Sequence, residues 1–209
     1  MKVGIIGFGP LGKQLLIMLQ ESGVKDNNII LFDDNIDHNK DTHFPFNDYQ
    51  RVDEDIEYIV ALGYHNLNAK RKILNYLLSK KANILSFIHK TAYIHPLAKI
   101  GHSVIIFPGC IIEQNVHLAN GCISYNATVI AHDCTIGNST FMAPNVTICG
   151  NTTVGDCSFI GASTTIGNNL YIGDNVKIGM SSSIQNNVDN NIQCIGNPMK
   201  IVKKLLLEK

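Results

Sequence analysis

The chain has no tryptophan and only six prolines. Charged residues make up just 16% of it, and its 17 basic and 17 acidic side chains cancel. That balance excludes the basic footprint of a nucleic-acid binder and the polybasic stretch of an electrostatic membrane contact. No apolar run approaches the ~20 residues of a membrane span. No apolar leader with a cleavage site opens the chain: Met1-Lys2 runs straight into Val3-Gly4-Ile5-Ile6-Gly7, which reads as a buried strand and predicts a cytoplasmic protein. The six cysteines follow no redox or zinc spacing, and the eight histidines show no compact metal-ligand pair, so no metal site is expected. What the chain does have is 45% hydrophobic residues over 209 positions, enough for one large domain or two small ones.

Two grammars divide it. Residues 1–90 alternate strand and helix signals. Strands are expected at Lys2–Ile6, Asn28–Phe32, Tyr58–Leu62 and Ile84–Ile88, and helices at Leu11–Glu21 and Ala69–Leu78. Short β–α connections of this kind imply a small parallel sheet with helices on its faces. Residues 35–55 are polar and irregular, and read as a surface excursion.

From Ile94 onward the period is six. Stepping by six from Ile94 to Ile184 meets sixteen positions, of which all but Ser124 and Met142 are Ile, Leu or Val. Two residues before each aliphatic the side chain is small or β-branched, with Leu170 the exception. Gly follows the aliphatic at 101, 137, 155, 161, 167, 173 and 179. A fixed six-residue repeat dictates a solenoid. Each aliphatic points inward at a corner, the small residue fills the space beside it, and Gly is expected to ease the bend. Three hexapeptides close a triangular coil of 18 residues, and successive coils stack at about 4.8 Å. Met199–Leu207 reads as a short amphipathic helix that covers the open end over 199–209.

Several residues stand out for chemistry. His132 lies two residues past the corner Ile130, on the outside of the coil, and residues 18 apart stack on one face, so Gly150 lies beside it. With no side chain at Gly150, the surface next to the histidine is expected to be open to a ligand. An imidazole titrates near ~6.5 and can take a proton from an attacking amine or hydroxyl at working pH. Asp133 is placed to orient that ring, as a carboxylate does in a triad. Cys110, Cys122 and Cys134 fall on the small inward position, where Cys acts as a small apolar residue. Gly7-Phe8-Gly9-Pro10-Leu11-Gly12 follows the first strand and opens a helix, with Asp33 ending the second strand. Taken alone that is a dinucleotide fingerprint. The 90 residues before the repeats are too few for a two-lobed dinucleotide fold and a substrate domain, so no NAD site is expected. The same loop can hold the phosphates of another nucleotide at the helix N-terminus.

The hexapeptide frame, the G-F-G-P-L-G turn, Leu31-Phe32-Asp33-Asp34, Ala61-Leu62-Gly63, Ile88-His89-Lys90, Ile130-Ala131-His132-Asp133-Cys134-Thr135-Ile136-Gly137 and the closing Ile195-Gly196-Asn197-Pro198 together resemble the sialic-acid O-acetyltransferase-like sugar acyltransferases. The resemblance covers essentially the whole chain and takes in N-acetyltransferases of nucleotide-linked amino-deoxy sugars. It implies an α/β Rossmann-like domain over 1–90, followed by a left-handed parallel β-helix over 91–198. It also implies a homotrimer, with acetyl-CoA lying in the groove between neighbouring β-helices and His132 facing that groove. A nucleotide sugar would sit on Gly7, Gly9, Pro10, Leu11, Asp33, Asp34 and Gly63. Acetyl-CoA would meet Phe141, Gly150, Ala162 and Met180, with Gly161 and Gly179 letting the pantetheine lie close to the backbone. Family members often have Ser-Gly-His in place of Gly9-Pro10-Leu11, and one has His in place of Phe141. The resemblance leaves three functions open: transfer to a sugar amine, transfer to a hydroxyl of sialic acid or a polysaccharide precursor, and a non-catalytic nucleotide-sugar-binding trimer.

Overall fold

The computed structural model describes residues 2–205. The chain divides into two compact units, Met1–Ser86 and Phe87–Lys209.

The first unit is a parallel sheet with helices. Its elements are β1 (Lys2–Ile6), α1 (Pro10–Glu21), β2 (Ile29–Phe32), β3 (His43–Phe44), β4 (Ile56–Val60) and α2 (Leu67–Ser79). The strand order is β3-β2-β1-β4, all parallel. Every β2 residue is buried, and so are all but one each of β1 and β4, as expected of strands covered on both faces. Ile6, Ile30, Phe32, Ile56, Tyr58 and Val60 share one core cluster with Ile73, Leu74 and Leu77 of α2. Gly4 sits where a Cβ would come within 2.8 Å of Ile56 and 3.1 Å of Phe32. The stretch expected to be a mere surface excursion contributes more than that. It carries β3, followed by a 3₁₀ turn over Phe46–Arg51 that buries Tyr49. Its aromatic side chains pull it inward: Phe44 stacks on Phe32, and Tyr49 meets Phe46 and Tyr76 edge-on.

The strand expected over Ile84–Ile88 is split. Ile84 makes only an isolated bridge to Tyr58, whereas Phe87–Ile88 pairs with Ile105–Ile106 as the first rung of the second unit. The six-residue frame thus begins one step earlier than expected, at Ile88.

The second unit is a parallel β-solenoid with three faces. The first face stacks Phe87–Ile88, Ile105–Ile106, Ile123–Ser124, Phe141–Met142, Phe159–Ile160 and Lys177–Ile178. The second stacks Tyr93–Ile94, Ile111–Ile112, Val129–Ile130, Thr147–Ile148, Thr165–Ile166 and Ser183–Ile184. The third stacks Lys99–Ile100, His117–Leu118, Thr135–Ile136, Thr153–Val154 and Tyr171–Ile172. Partners are 18 residues apart, as in Ile130↔Ile148 and Ile136↔Val154. From Ile106 to Ile184 every aliphatic corner is at most 1% exposed. Burying such a side chain is worth about 1.5–3 kcal/mol. The two departures from the aliphatic rule, Ser124 and Met142, are stacked partners and both fully buried, so a short side chain faces a long one.

The bends are made differently from the sequence expectation. None of the seven glycines that follow an aliphatic has a left-handed φ. That conformation falls two residues later, on Ser103, Gly109, Asn115, Gly121, Ala127, Asp133, Ser139 and onward every six residues to Ser181. Gly101, Gly137, Gly155 and Gly173 answer to close packing. A Cβ there would meet the side-chain oxygen of Asn120, Asp156, Asp174 or Asn190 on the next coil. Those oxygens accept backbone N–H groups of the coil before: His102 N–H to Asn120 at 2.8 Å, Asn138 to Asp156 at 2.6 Å, Asp156 to Asp174 at 2.7 Å and Asp174 to Asn190 at 2.8 Å. Ala119 shares the column and tolerates its methyl, because the side chain stacked on it, Asn138, turns toward Asp156 instead.

The small inward position is also more than a filler. Cys110, Cys122 and Cys134 donate S–H to the carbonyl 15 residues on, at 3.1, 3.0 and 3.1 Å. Thr140, Thr152, Ser158 and Thr164 make the same bond with a hydroxyl at 2.7, 2.8, 2.9 and 3.1 Å. Cys here stands in for Ser and Thr as a buried donor, and was expected to be only a small apolar side chain.

The frame slips once. The last coil has 16 residues, with Ile178 opposite Cys194 and Ile172 opposite Val188. The helix expected over 199–209 is a strand where the structure describes it. Lys200–Lys204 runs antiparallel to Ile192–Ile195 after a turn holding Gly196 at φ +102 and the cis Asn197-Pro198 bond. The Ile192–Ile195 strand presents an open edge, and the β-branched Lys-Ile-Val-Lys-Lys segment satisfies it with backbone hydrogen bonds. Residues 206–209 of that expected helix lie outside the described residues.

Candidate active site

His132 occupies the turn that follows Val129–Ile130, between the second and third faces. The coils before and after its own pin it. Its N–H donates to the Glu113 carboxylate at 2.9 Å, and its carbonyl accepts from Asn151 N–H at 3.0 Å. Its Nδ1 lies 2.9 Å from Asp133 Oδ2. The other Asp133 oxygen accepts from Asn115 Nδ2 at 2.9 Å. Asp133 holds a left-handed φ of +59, and its N–H donates to Gln114 O at 3.0 Å. Hydrogen bonds from Asn115 and then His132 hold its carboxyl below the usual carboxylate range, so it is an anion at neutral pH.

The imidazole lies flat against Gly150. A Cβ on that glycine would sit 2.6 Å from Cε1 and 2.7 Å from Nε2 of His132. The space beside the histidine was expected to be free for a ligand, but the ring itself fills it. With its side chain 46% exposed, His132 turns its other side to solvent. Since Asp133 engages Nδ1, Nε2 is the ring atom left to carry a proton to or from a ligand.

The other nominated cofactor residues lie elsewhere on the prism. Phe141 is on the first face, 5% exposed, with its ring stacked 5.7 Å from Phe159 and tilted 5.3 Å from Tyr125. Tyr125 in turn stacks on Phe107 at 4.0 Å, so four aromatic rings run along that face. Ala162 and the 69%-exposed Met180 lie on the turns after Phe159–Ile160 and Lys177–Ile178, at the edge between the first and second faces. His132 is at the edge between the second and third, so within one solenoid the structure does not bring these groups together. Gly161 and Gly179 were expected to leave room for pantetheine. A Cβ on Gly161 would come within 2.5 Å of Met180 N, and one on Gly179 within 2.6 Å of the Ile195 side chain. Coil stacking accounts for both.

In the first unit the glycine loop divides its work as the fingerprint predicts. Gly7 has φ +91, and Gly12 packs against the Gly7 carbonyl too closely for a side chain. Gly9, the N-cap of α1, would present a Cβ to open space, as would Gly63. Pro10 takes the first position of α1, while Leu11 is only 4% exposed; its side chain belongs to the core and only its backbone faces the loop. Asp33 Oδ2 accepts Phe8 N–H at 2.7 Å and Oδ1 accepts Asn35 N–H at 2.8 Å. Partial burial pushes its pKa up, and these hydrogen bonds outweigh that and hold it below the ordinary value. Asp34 accepts Phe46 N–H at 2.8 Å. Both carboxylates therefore organise loops, whatever else they bind. A cavity of about 380 Å³ is lined by Lys2, Phe32, Asp41, Arg51 and Tyr58 among others, and neither the glycine loop nor Asp33, Asp34 or Gly63 lines it.

All six cysteines are free, and burial pushes the thiols of Cys110, Cys134 and Cys194 up, away from nucleophilic use. Among the described residues no group of three or more His, Cys, Asp or Glu could hold a metal ion. Among them, too, no helix is long and apolar enough to cross a membrane. The residues that sequence reasoning missed are Asn115 and Glu113. A backward step of 18 from Asp133, one full coil, would have found Asn115.

Residues 133–168 match the family model of the bacterial transferase hexapeptide, six repeats. No curated protein matches the chain in sequence. Solved structures do match over nearly its whole length. The acetyltransferase domain of PglB from Neisseria gonorrhoeae is 24% identical with a TM-score of 0.86, over 96% of this chain and 99% of that one. PerB from Caulobacter crescentus, solved with CoA and GDP-perosamine, is 20% identical with a TM-score of 0.87, over 97% and 98%. WeeI from Acinetobacter baumannii is 21% identical with a TM-score of 0.85, over 97% and 100%. The chain thus carries the bacterial transferase hexapeptide repeat in a fold shared with these proteins: an α/β unit followed by a parallel β-solenoid.

Proposed function

We propose that this protein is an acetyl-CoA-dependent N-acetyltransferase acting on the amino group of a nucleotide-linked amino-deoxy sugar. The observation that carries the reading is the His132–Asp133 pair at 2.9 Å on an outward turn of the solenoid, with Nε2 left for proton transfer. The similar structures support the choice of ligands. PerB is solved with CoA and GDP-perosamine, the PglB domain is also solved with acetyl coenzyme A, and histidine-substituted forms of the Caulobacter enzyme are among them.

The chemistry is direct transfer. The sugar nitrogen attacks the thioester carbonyl as His132 Nε2 takes one of its protons. A C–N bond forms, the C–S bond breaks, and coenzyme A leaves as a thiolate that is then protonated. Asp133 stabilises the imidazolium that forms. No acyl-enzyme is needed. The nucleotide sugar binds the 1–90 region at the glycine loop, where Gly9 and Gly63 leave open surface and α1 presents unpaired N–H groups without a side-chain cap. Acetyl-CoA binds the 91–198 region along Phe141, Ala162 and Met180. Because those residues and His132 flank the second face from opposite edges, a complete site needs the edge of another copy, which a homotrimer provides. The protein acts in the cytoplasm, where acetyl-CoA is made.

The test is thiol release from acetyl-CoA against UDP-, dTDP- and GDP-linked 4-amino sugars, with sialic acid as the hydroxyl control. Release with one amino sugar, lost by about 10²-fold or more in His132→Ala, is the expected result. Release with sialic acid alone moves the protein to O-acetyl transfer. Near-wild-type turnover in His132→Ala removes the histidine from the mechanism.

A further inference from the structure

The geometry assigns Asn115 as the positioning residue of this site: its amide, reaching across from the preceding coil, fixes the Asp133 carboxylate and through it the His132 ring. This rests on the proposed base role of His132.

The stacking of coils brings the three residues together. Asn115 and Asp133 occupy the same turn position one coil apart, with φ +56 and +59. The column continues through Asn151 and Asn169, at φ +57 and +58, so Asp133 is the one carboxylate in a run of asparagines. Stacked turns aim the two side chains at each other. Asn115 Nδ2 donates to Oδ1 at 2.9 Å, and Oδ2 is left for His132 Nδ1 at the same distance. An exposed carboxylate on a turn rotates freely about its last bond. Binding one oxygen leaves the other with one direction to point, which here is toward the imidazole. A carboxylate acceptor stabilises the Nδ1–H tautomer, in which Nε2 carries the lone pair. Glu113 acts on the main chain instead, accepting His132 N–H at 2.9 Å.

Asparagine also suits a left-handed φ for purely local reasons, apart from any hydrogen bond to Asp133. The fold supplies the control. Ala127 and Gly109 hold the same turn conformation, at φ +57 and +69, with no amide to offer. Asn115→Ala and Asn115→Gly should therefore fold and stack normally.

The experiment uses the full chain with 15N-labelled histidine, with His132→Ala to assign the ring signals. In the wild type His132 is expected to read as the Nδ1–H tautomer. In both Asn115 variants it should shift toward Nε2–H, the form free imidazole favours, with the thermal midpoint unchanged. In the thiol-release assay kcat should fall about tenfold, the worth of one hydrogen bond to a charged group, with KM for acetyl-CoA unchanged. The loss should shrink to less than about twofold when Asn115→Ala is made on Asp133→Ala, because the amide then has nothing to hold. An unchanged tautomer in the Asn115 variants overturns the assignment, and so does a loss that persists undiminished without Asp133. Failure of the base reading shows separately, as a His132→Ala protein that keeps its rate. The tautomer signal reports on Asn115 in either case.

Discussion

A methyl group added at Gly150 has one direction to grow, into the His132 ring. The new Cβ would stand 2.6 Å from Cε1, 2.7 Å from Nε2 and 3.2 Å from Nδ1. Carbon atoms in contact settle about 3.5–4.0 Å apart, so the imidazole must retreat by about 1 Å. The backbone does not resist, since Gly150 needs no left-handed φ. The ring gives way first, because its side chain is 46% exposed and can swing outward. That motion pulls Nδ1 from its 2.9 Å contact with Asp133 and breaks the bond that orients it. Stability should change by no more than about 1 kcal/mol, as at a surface position. Turnover should fall far more, by up to about 10²-fold for a 1 Å misplacement of a reacting group. The assay is thiol release with a thermal melt on the same preparation. A Gly150→Ala protein that melts like the wild type and keeps kcat within about twofold would refute the reasoning, because the ring would then not be working from its seat on Gly150. A large fall in the melting midpoint would refute it differently, by showing that the coil and not the ring absorbs the methyl.

Two further outcomes follow from the same geometry. Gly155→Ala should destabilise the solenoid by about 1–3 kcal/mol in chemical denaturation, because its Cβ would come within 2.7 Å of Asp174 N and Gly173 C, which are backbone atoms that cannot swing aside. Ala119, in the same column, marks the one step where the ladder turns away and a methyl is accepted. The hydrogen bonds that tie Asp33 to Phe8 of the glycine loop and to Asn35 should make the first unit acid-sensitive. The folded pKa of Asp33 is depressed, so its contribution is in place above the ordinary carboxylate value of ~3.9 and is lost as pH falls through the lower folded value. Asp33→Asn should flatten that acid limb in a pH series of unfolding midpoints, and an unchanged limb would show that another group sets it.

The repeat was legible because one chemical property recurs at one spacing. An inward aliphatic every six residues is a signal that survives even where Ser124 and Met142 interrupt it. The turns were not legible, because the left-handed position accepts Ser, Asn, Asp, Ala, Gly and Cys alike, and no residue type marks it. The glycines drew the eye instead, although four of them answer to a side-chain oxygen one coil away that no local window contains. The donors at Cys110, Thr140 and Ser158 looked like space-fillers, since a sulfhydryl and a hydroxyl are both small; only the carbonyl 15 residues on reveals the bond. The His132–Asp133 hydrogen bond could be anticipated because the two residues are adjacent. Asn115 could not, because its partner lies 18 residues away and its own turn already explains an asparagine. Terminal elements were read worst. The strand at Phe87 belongs to the following unit, and the Lys-Ile-Val-Lys-Lys segment is helical or extended according to which free edge it meets.

A stack of identical coils has no natural length. Its last rung offers the same parallel template as every rung before it, and a second molecule could dock there and continue the column into a filament. The shortened final coil and the reversed strand close that route on the first face. Lys200–Lys204 runs against the direction of the stack, so the next rung in line would face the wrong polarity and register. Three of its five residues are lysines, and all five are exposed, which sets like charges along the edge where the first face ends. On that face the hairpin works against end-to-end pairing of one molecule with the next. One more ordinary hexapeptide in its place would leave a parallel template bare on all three faces.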